Sequence, residues 1–196
     1  MPIPPFTIDG ILPPFQGSDP GGDRALMSPY IVTAVEVTDS FGTTRVRQTI
    51  LKRWLEHRSA LRAAGIVRGF QWLDGSFLED KEPNDLDLIT FVYRPQTLLA
   101  IQNWQPFLMA RPELFERTTV KRRFNLDAFF IDMNGAREAI LSSSRYFLQL
   151  FSHQRHTFLW KGMLQVGLED VGDDAAALAR LVPPPNEKPT GGDDDS

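Results

Sequence analysis

Leu86 to Tyr93 (LDLITFVY) constrain the fold more than any other segment. The run is short and almost wholly apolar. It reads as a strand covered on both faces, not one alternating between core and solvent. A sheet built on it needs a packing layer on each side. The flanking sequence supplies helices for both, so the expected class is α/β or α+β, a mixed sheet of about four to five strands flanked by helices.

The helical signals are regular. Thr33 followed by Glu36 is a capping box that predicts a helix to about residue 41, with Gly42 as its stop. The β-branched and aromatic content of residues 30–37 leaves a strand as the alternative. Val46, Ile50, Trp54, Leu55, Leu61 and Ala64 recur near the helical period and predict a helix from Thr44 to Ala64, ended by Gly65. Its other face is basic, from Arg45 to Arg62 with Glu56 as the one acid. That face reads as solvated, with contact to RNA phosphates as the alternative. Pro95 opens a helix near 96–104, and Pro112 opens a short turn to Arg117. Asn134 is the expected cap of a helix to Phe151. Strands are predicted at 67–74, at Phe124–Met133 and at Phe158–Leu168.

Residues 1–30 hold seven prolines and read as an extended arm, laid on the body by Ile3, Phe6, Ile8, Ile11, Leu12 and Phe15. Residues 31–182 form the expected domain. Residues 183–196 read as a disordered acidic tail. Of the net charge of −4, the stretch from Glu169 onward accounts for −6, with eight acids against two bases. The body is therefore slightly basic, which removes the objection that an acidic protein would repel polyphosphates. There are no cysteines, so disulfides, thiolate zinc sites and cysteine nucleophiles are excluded. No run of 18 apolar residues exists, and Met1 to Phe6 do not open like a secretion signal. No membrane association and a cytoplasmic location are the expectations.

The chemistry lies between Trp72 and Leu88. A strand ends in Asp74-Gly75-Ser76, and after eight residues comes Asp85-Leu86-Asp87-Leu88. Glycine permits close backbone approach, and free N–H groups at a turn into a helix make a phosphate seat. Side chains at i and i+2 of a strand share a face, so Asp85 and Asp87 stand side by side. Two carboxylates so placed repel unless a cation lies between them, and Mg²⁺ prefers oxygen ligands. Asp127 opens an otherwise apolar strand and is the expected third acid. Asp132, at odd spacing from it, faces the other way. Lys161 reads either as a cation reaching a triphosphate or as a surface lysine. His153 and His156 read as part of a polar loop. Asn84 reads as orienting the metal-bound carboxylates or phosphates.

These residues resemble the nucleotidyltransferase fold shared by DNA polymerase beta, kanamycin nucleotidyltransferase and the minimal nucleotidyltransferases. The shared signature is an apolar residue, Gly-Gly or Gly-Ser, a spacer, then Asp-apolar-Asp/Glu-apolar. More narrowly, the chain resembles an uncharacterised bacterial family of minimal nucleotidyltransferase-like proteins. Ile3 to Phe6, Trp72 to Phe77 and Trp160-Lys161-Gly162 carry that likeness. The pattern departs from minimal nucleotidyltransferases in placing Phe77 where an arginine is usual, and in its short, acidic spacer. The resemblance implies metal-dependent transfer of an NMP from an NTP to a protein, RNA or small-molecule hydroxyl. Asp85, Asp87 and Asp127 would be catalytic and hold Mg²⁺ or Mn²⁺; Gly75, Ser76 and Lys161 would bind nucleotide. The alternative it implies is a weak or inactive binding protein, an antitoxin or defence partner. The expected partners are an NTP and a protein partner or RNA acceptor, with no DNA sequence recognition.

Overall fold

A computed structural model describes residues 3–181. Five strands form one mixed sheet: β1 (Tyr30–Val32), β2 (Gly69–Asp74), β3 (Leu86–Val92), β4 (Leu126–Asp132) and β5 (Leu164–Gly167). Their order across the sheet is β1-β5-β2-β3-β4. The β1–β5 and β3–β4 pairs are parallel; β2 runs antiparallel to both β5 and β3. β3 is covered on both sides, as its composition requires. Leu86 and Leu88 join a core with α1 (Ala34–Phe41), α2 (Arg45–Ala63) and α5 (Arg117–Phe124). Ile89 and Phe91 face the other way, toward Phe147 and Phe151 of α6 (Arg137–Phe151).

The capping box at Thr33 forms, and α1 ends at Gly42. The long helix is capped by Thr44. The 96–104 helix is displaced to α3 (Ile101–Met109), after a single 3₁₀ turn at Gln96–Leu98. Pro106 lies inside α3. Gln102, whose carbonyl loses its helical donor there, is exposed to water. Pro112 does open a short helix, α4 (Pro112–Phe115).

Four expectations need correction. Phe124 ends α5 and does not begin a strand; Asn125, at φ +56°, turns the chain into β4. Asn134 does not cap α6. It accepts a hydrogen bond from the Arg94 backbone, and Ala136 stands at the cap position. The strand expected from Phe158 begins only at Leu164, leaving Phe158 to Trp160 exposed on a loop. Lys161 is therefore in the approach to β5. Ile8, expected to pin the arm, is fully exposed, whereas Ile11 and Leu12 are buried.

Part of the acidic stretch that the charge count sets apart from the body belongs to the fold. Val171–Leu181 form a helix, α7, packed on α1 and α2. Asp173 accepts hydrogen bonds from the Ala34 and Val35 N–H groups, placing a negative charge on the N-terminus of α1. Asp174 is buried and pairs with Arg58 and Arg62. Arg58 is itself fully buried, donates to the Gly167 carbonyl at 2.6 Å and shares Gln71 with Trp54. The basic face of α2 is thus not uniformly solvated. Arg58 and Arg47 point inward, while Arg45, Lys52 and Arg53 remain exposed. The residues from 183 onward lie outside the described part.

His57 on α2 is buried, contacts the Leu114 carbonyl at 3.2 Å and meets Phe124 edge-on. Burial pushes its pKa from 6.5 down to about 4, so the folded ring is neutral. The unfolded chain takes up a proton that the folded chain refuses. The resulting stability is fully present above pH 6.5 and lost as pH falls toward 4, a loss of about 3 kcal/mol. His57→Gln retains a donor for Leu114 but cannot titrate. Urea unfolding at pH 7 and pH 4.5 is expected to show a smaller acid loss in the variant.

Candidate active site

Strand register assembles the acids. Asp74, the last residue of β2, pairs with Asp87 of β3, and Asp87 pairs in turn with Asp127 of β4. Residues directly opposite across a sheet share a face. Three carboxylates therefore stand in a row at one end of three adjacent strands. Asp85 lies two residues before Asp87, just ahead of the strand. The row occupies the face covered by α6, since Trp72, Ile89 and Ile131, at even spacing from these acids, pack beneath that helix.

Each acid has a different environment. Asp85 is paired with Lys121 of α5. Asp127 makes a two-pronged pair with Arg117, at 2.5 and 2.7 Å, which holds its carboxyl below the ordinary range. Among the described residues Asp87 has no hydrogen-bond or ion-pair partner. Its pKa rises from 3.8 to about 6, first through burial and then through Asp85 and Asp127. Asp74 is buried still further, and burial lifts it to about 7 against the pull of Lys161. Asp74 belongs to the row, although its own segment marks it only as the end of a strand; the register with Asp87 brings it in.

Gly75 begins a 3₁₀ turn, Gly75–Leu78, at φ +79°. A Cβ there would lie 1.8 Å from Asp87 Oδ2, so only glycine lets the turn cross that carboxylate. Gly75→Ala is expected to cost at least about 1 kcal/mol from the left-handed backbone alone. The clash also displaces Asp87, so thermal melts should show a larger loss than at Gly17, which has a positive φ and open space. Ser76 is half-buried beside Gly75.

Lys161 is buried, and its ammonium is committed inward. It lies 2.9 Å from Asp74 Oδ1 and donates to the Gly75 carbonyl at 3.0 Å, with Glu79 at 3.6 Å. It ties the turn to the acid row and is neither a surface lysine nor a free cation. Arg47 holds the same segment from the other side, donating to the carbonyls of Phe77, Glu79 and Lys81 at 2.7–2.8 Å. Asn84 contributes its carbonyl, which accepts from Asn125 and fastens the start of β3 to the α5–β4 junction. Asp132 pairs with Arg94, away from the row.

The donor set suits a hard divalent cation in kind, being carboxylate oxygen throughout. As placed, no three His, Cys, Asp or Glu among the described residues converge closely enough to hold one. Lys121 and Arg117 neutralise two of the acids instead. Both reach in from α5 with partly exposed side chains, so a divalent ion would compete with flexible cations, not buried ones. Of the tryptophans, Trp54, Trp72 and Trp104 are core, and Trp160 is exposed. His153 and His156 lie on an exposed loop.

No helix among the described residues is long and apolar enough to cross a membrane. Comparison with curated proteins and with solved structures gives no match. Residues 4–167 match a family of unknown function, DUF6932. That match spans the arm, the whole acid row and β5, and the chain belongs to this family.

Proposed function

We propose that the chain is a metal-dependent nucleotidyltransferase that moves an NMP from an NTP to an acceptor hydroxyl. The observation that supports this most is the row Asp74-Asp87-Asp127 across adjacent strands, with the glycine turn folded against Asp87. Structural ion pairs account for Asp85 and Asp127 but not for Asp87. A partly buried carboxylate without a partner is costly unless a ligand uses it.

In this reading Gly75 and Ser76 present backbone groups to the phosphates. Asp85, Asp87 and Asp127 would hold Mg²⁺ or Mn²⁺, and Asp127, once Arg117 is displaced from it, would also orient the acceptor hydroxyl and take its proton. A bound divalent ion would supply charge stabilisation on the transferring phosphoryl group. Lys161 keeps the Gly75 turn in place from beneath, a positioning role rather than direct contact with nucleotide. The test is pyrophosphate release from each of the four NTPs, with Mn²⁺, Mg²⁺ or chelator. Metal-dependent release supports the reading; none from any NTP, with a range of acceptors, contradicts it.

A second reading is a weak or inactive binding protein acting as an antitoxin or defence partner. Lys121 on Asp85 and Arg117 on Asp127 favour it, because these acids are already neutralised without metal. Under this reading a partner protein binds while NTP and metal do not.

A further inference from the structure

From Ala139 to Leu168 the chain contains no acid. This 30-residue stretch covers most of α6, the 152–160 loop and β5. Three of its aromatics are exposed: Tyr146 (60%), Phe158 (77%) and Trp160 (46%). Its exposed guanidiniums, Arg145 and Arg155, make no hydrogen bond or ion pair among the described residues. By contrast Arg47 is committed to carbonyls, Arg117 to Asp127 and Arg94 to Asp132.

Two of these side chains share a groove. Arg145 and Trp160 line one open groove of about 530 Å³ together with Leu148, Lys161 and Met163. Trp160 bridges to His153 across the loop. Two residues on from His153, Arg155 helps to favour the charged form of Asp127. On the loop that leads to Trp160, Phe158 stands at φ +58°, a conformation unfavourable for a bulky residue, with its ring in water.

We propose that this face binds a single-stranded nucleic acid, with the exposed rings stacking on bases and Arg145 and Arg155 neutralising phosphates. Unpaired cations interleaved with exposed aromatics suit a strand whose bases are free, because every base offers a flat face for stacking. A duplex hides those faces. The role of that strand as the acceptor rests on the transferase reading. Its binding does not.

The test is fluorescence anisotropy with labelled oligo-rU, oligo-dT and a duplex of equal length, in chelator and without NTP. Those conditions separate failure of this proposal from failure of the transferase reading. The single strands are expected to bind more tightly than the duplex, and log K should fall linearly with log salt. A preference for oligo-rU over oligo-dT would assign the ligand as RNA; equal binding assigns the shared single-stranded chemistry. Phe158→Ala should weaken binding about fivefold or more. Arg145→Ala with Arg155→Ala should flatten the salt slope by roughly 1.4, from two lost phosphate contacts. Arg45→Ala with Arg53→Ala, on the exposed side of α2, should change neither while melting like wild type. The proposal is overturned if no oligonucleotide binds at low salt. It is equally overturned if the α2 pair abolishes binding and the Phe158 and Arg145/Arg155 variants do not. Absence of binding would leave the face to a protein partner.

Discussion

Asp174→Ala is expected to destabilise the protein by about 3–5 kcal/mol, read as a drop in the urea midpoint at unchanged slope. The substitution strips the fully buried Arg58 of its carboxylate, and water cannot replace it. Arg58 would keep only the Gly167 carbonyl and Gln71. Removing one partner of a buried pair costs more than the pair is worth, because an uncompensated charge stays inside. Replacing both, as in Arg58→Met with Asp174→Leu, should therefore recover much of the loss. A single-variant cost below about 1 kcal/mol would mean that α7 is not docked as described.

Asp87→Asn is expected to reduce nucleotidyl transfer by about 10³-fold or more while leaving the fold intact. Asparagine has nearly the same shape, so the Gly75 turn can still close over it. It carries no charge and relieves the repulsion with Asp85 and Asp127. The variant should therefore melt at or above the wild-type temperature. Loss of transfer with equal or greater stability separates a functional carboxylate from a structural one. A variant that transfers at the wild-type rate would remove Asp87 from the mechanism.

Much of this architecture was readable from local pattern. The apolar run of β3, the capping box at Thr33 and the 3.6-residue period of α2 each act within a few turns, and each formed. The Asp85/Asp87 spacing and the strand position of Asp127 were legible for the same reason, since strand alternation is local. What failed depends on distant partners. Asp174 and Arg58 are 116 residues apart, and nothing near Asp174 distinguishes it from a solvated acid. Phe158-Leu159-Trp160 have strand composition but no strand beside them to pair with. The boundary between α5 and β4 turns on Asn125 adopting a left-handed conformation, which interrupts an apolar run that otherwise reads as one strand. Asp74 joined the site through register with Asp87, and Lys161 through burial; neither is a property of its own neighbourhood in sequence.

In the proposed mechanism the acid row and the Gly75 turn together bind a nucleotide with a divalent cation. Thermal unfolding of the wild type and of Asp87→Asn, with each NTP and with Mg²⁺ or chelator, tests it most directly. At a 100-fold excess over the dissociation constant, a bound ligand should add about 2.7 kcal/mol of stability. That shift is expected for at least one NTP in the wild type only, and only with metal present. An unchanged melting temperature across all four NTPs with Mg²⁺, or the same shift in Asp87→Asn, would contradict it.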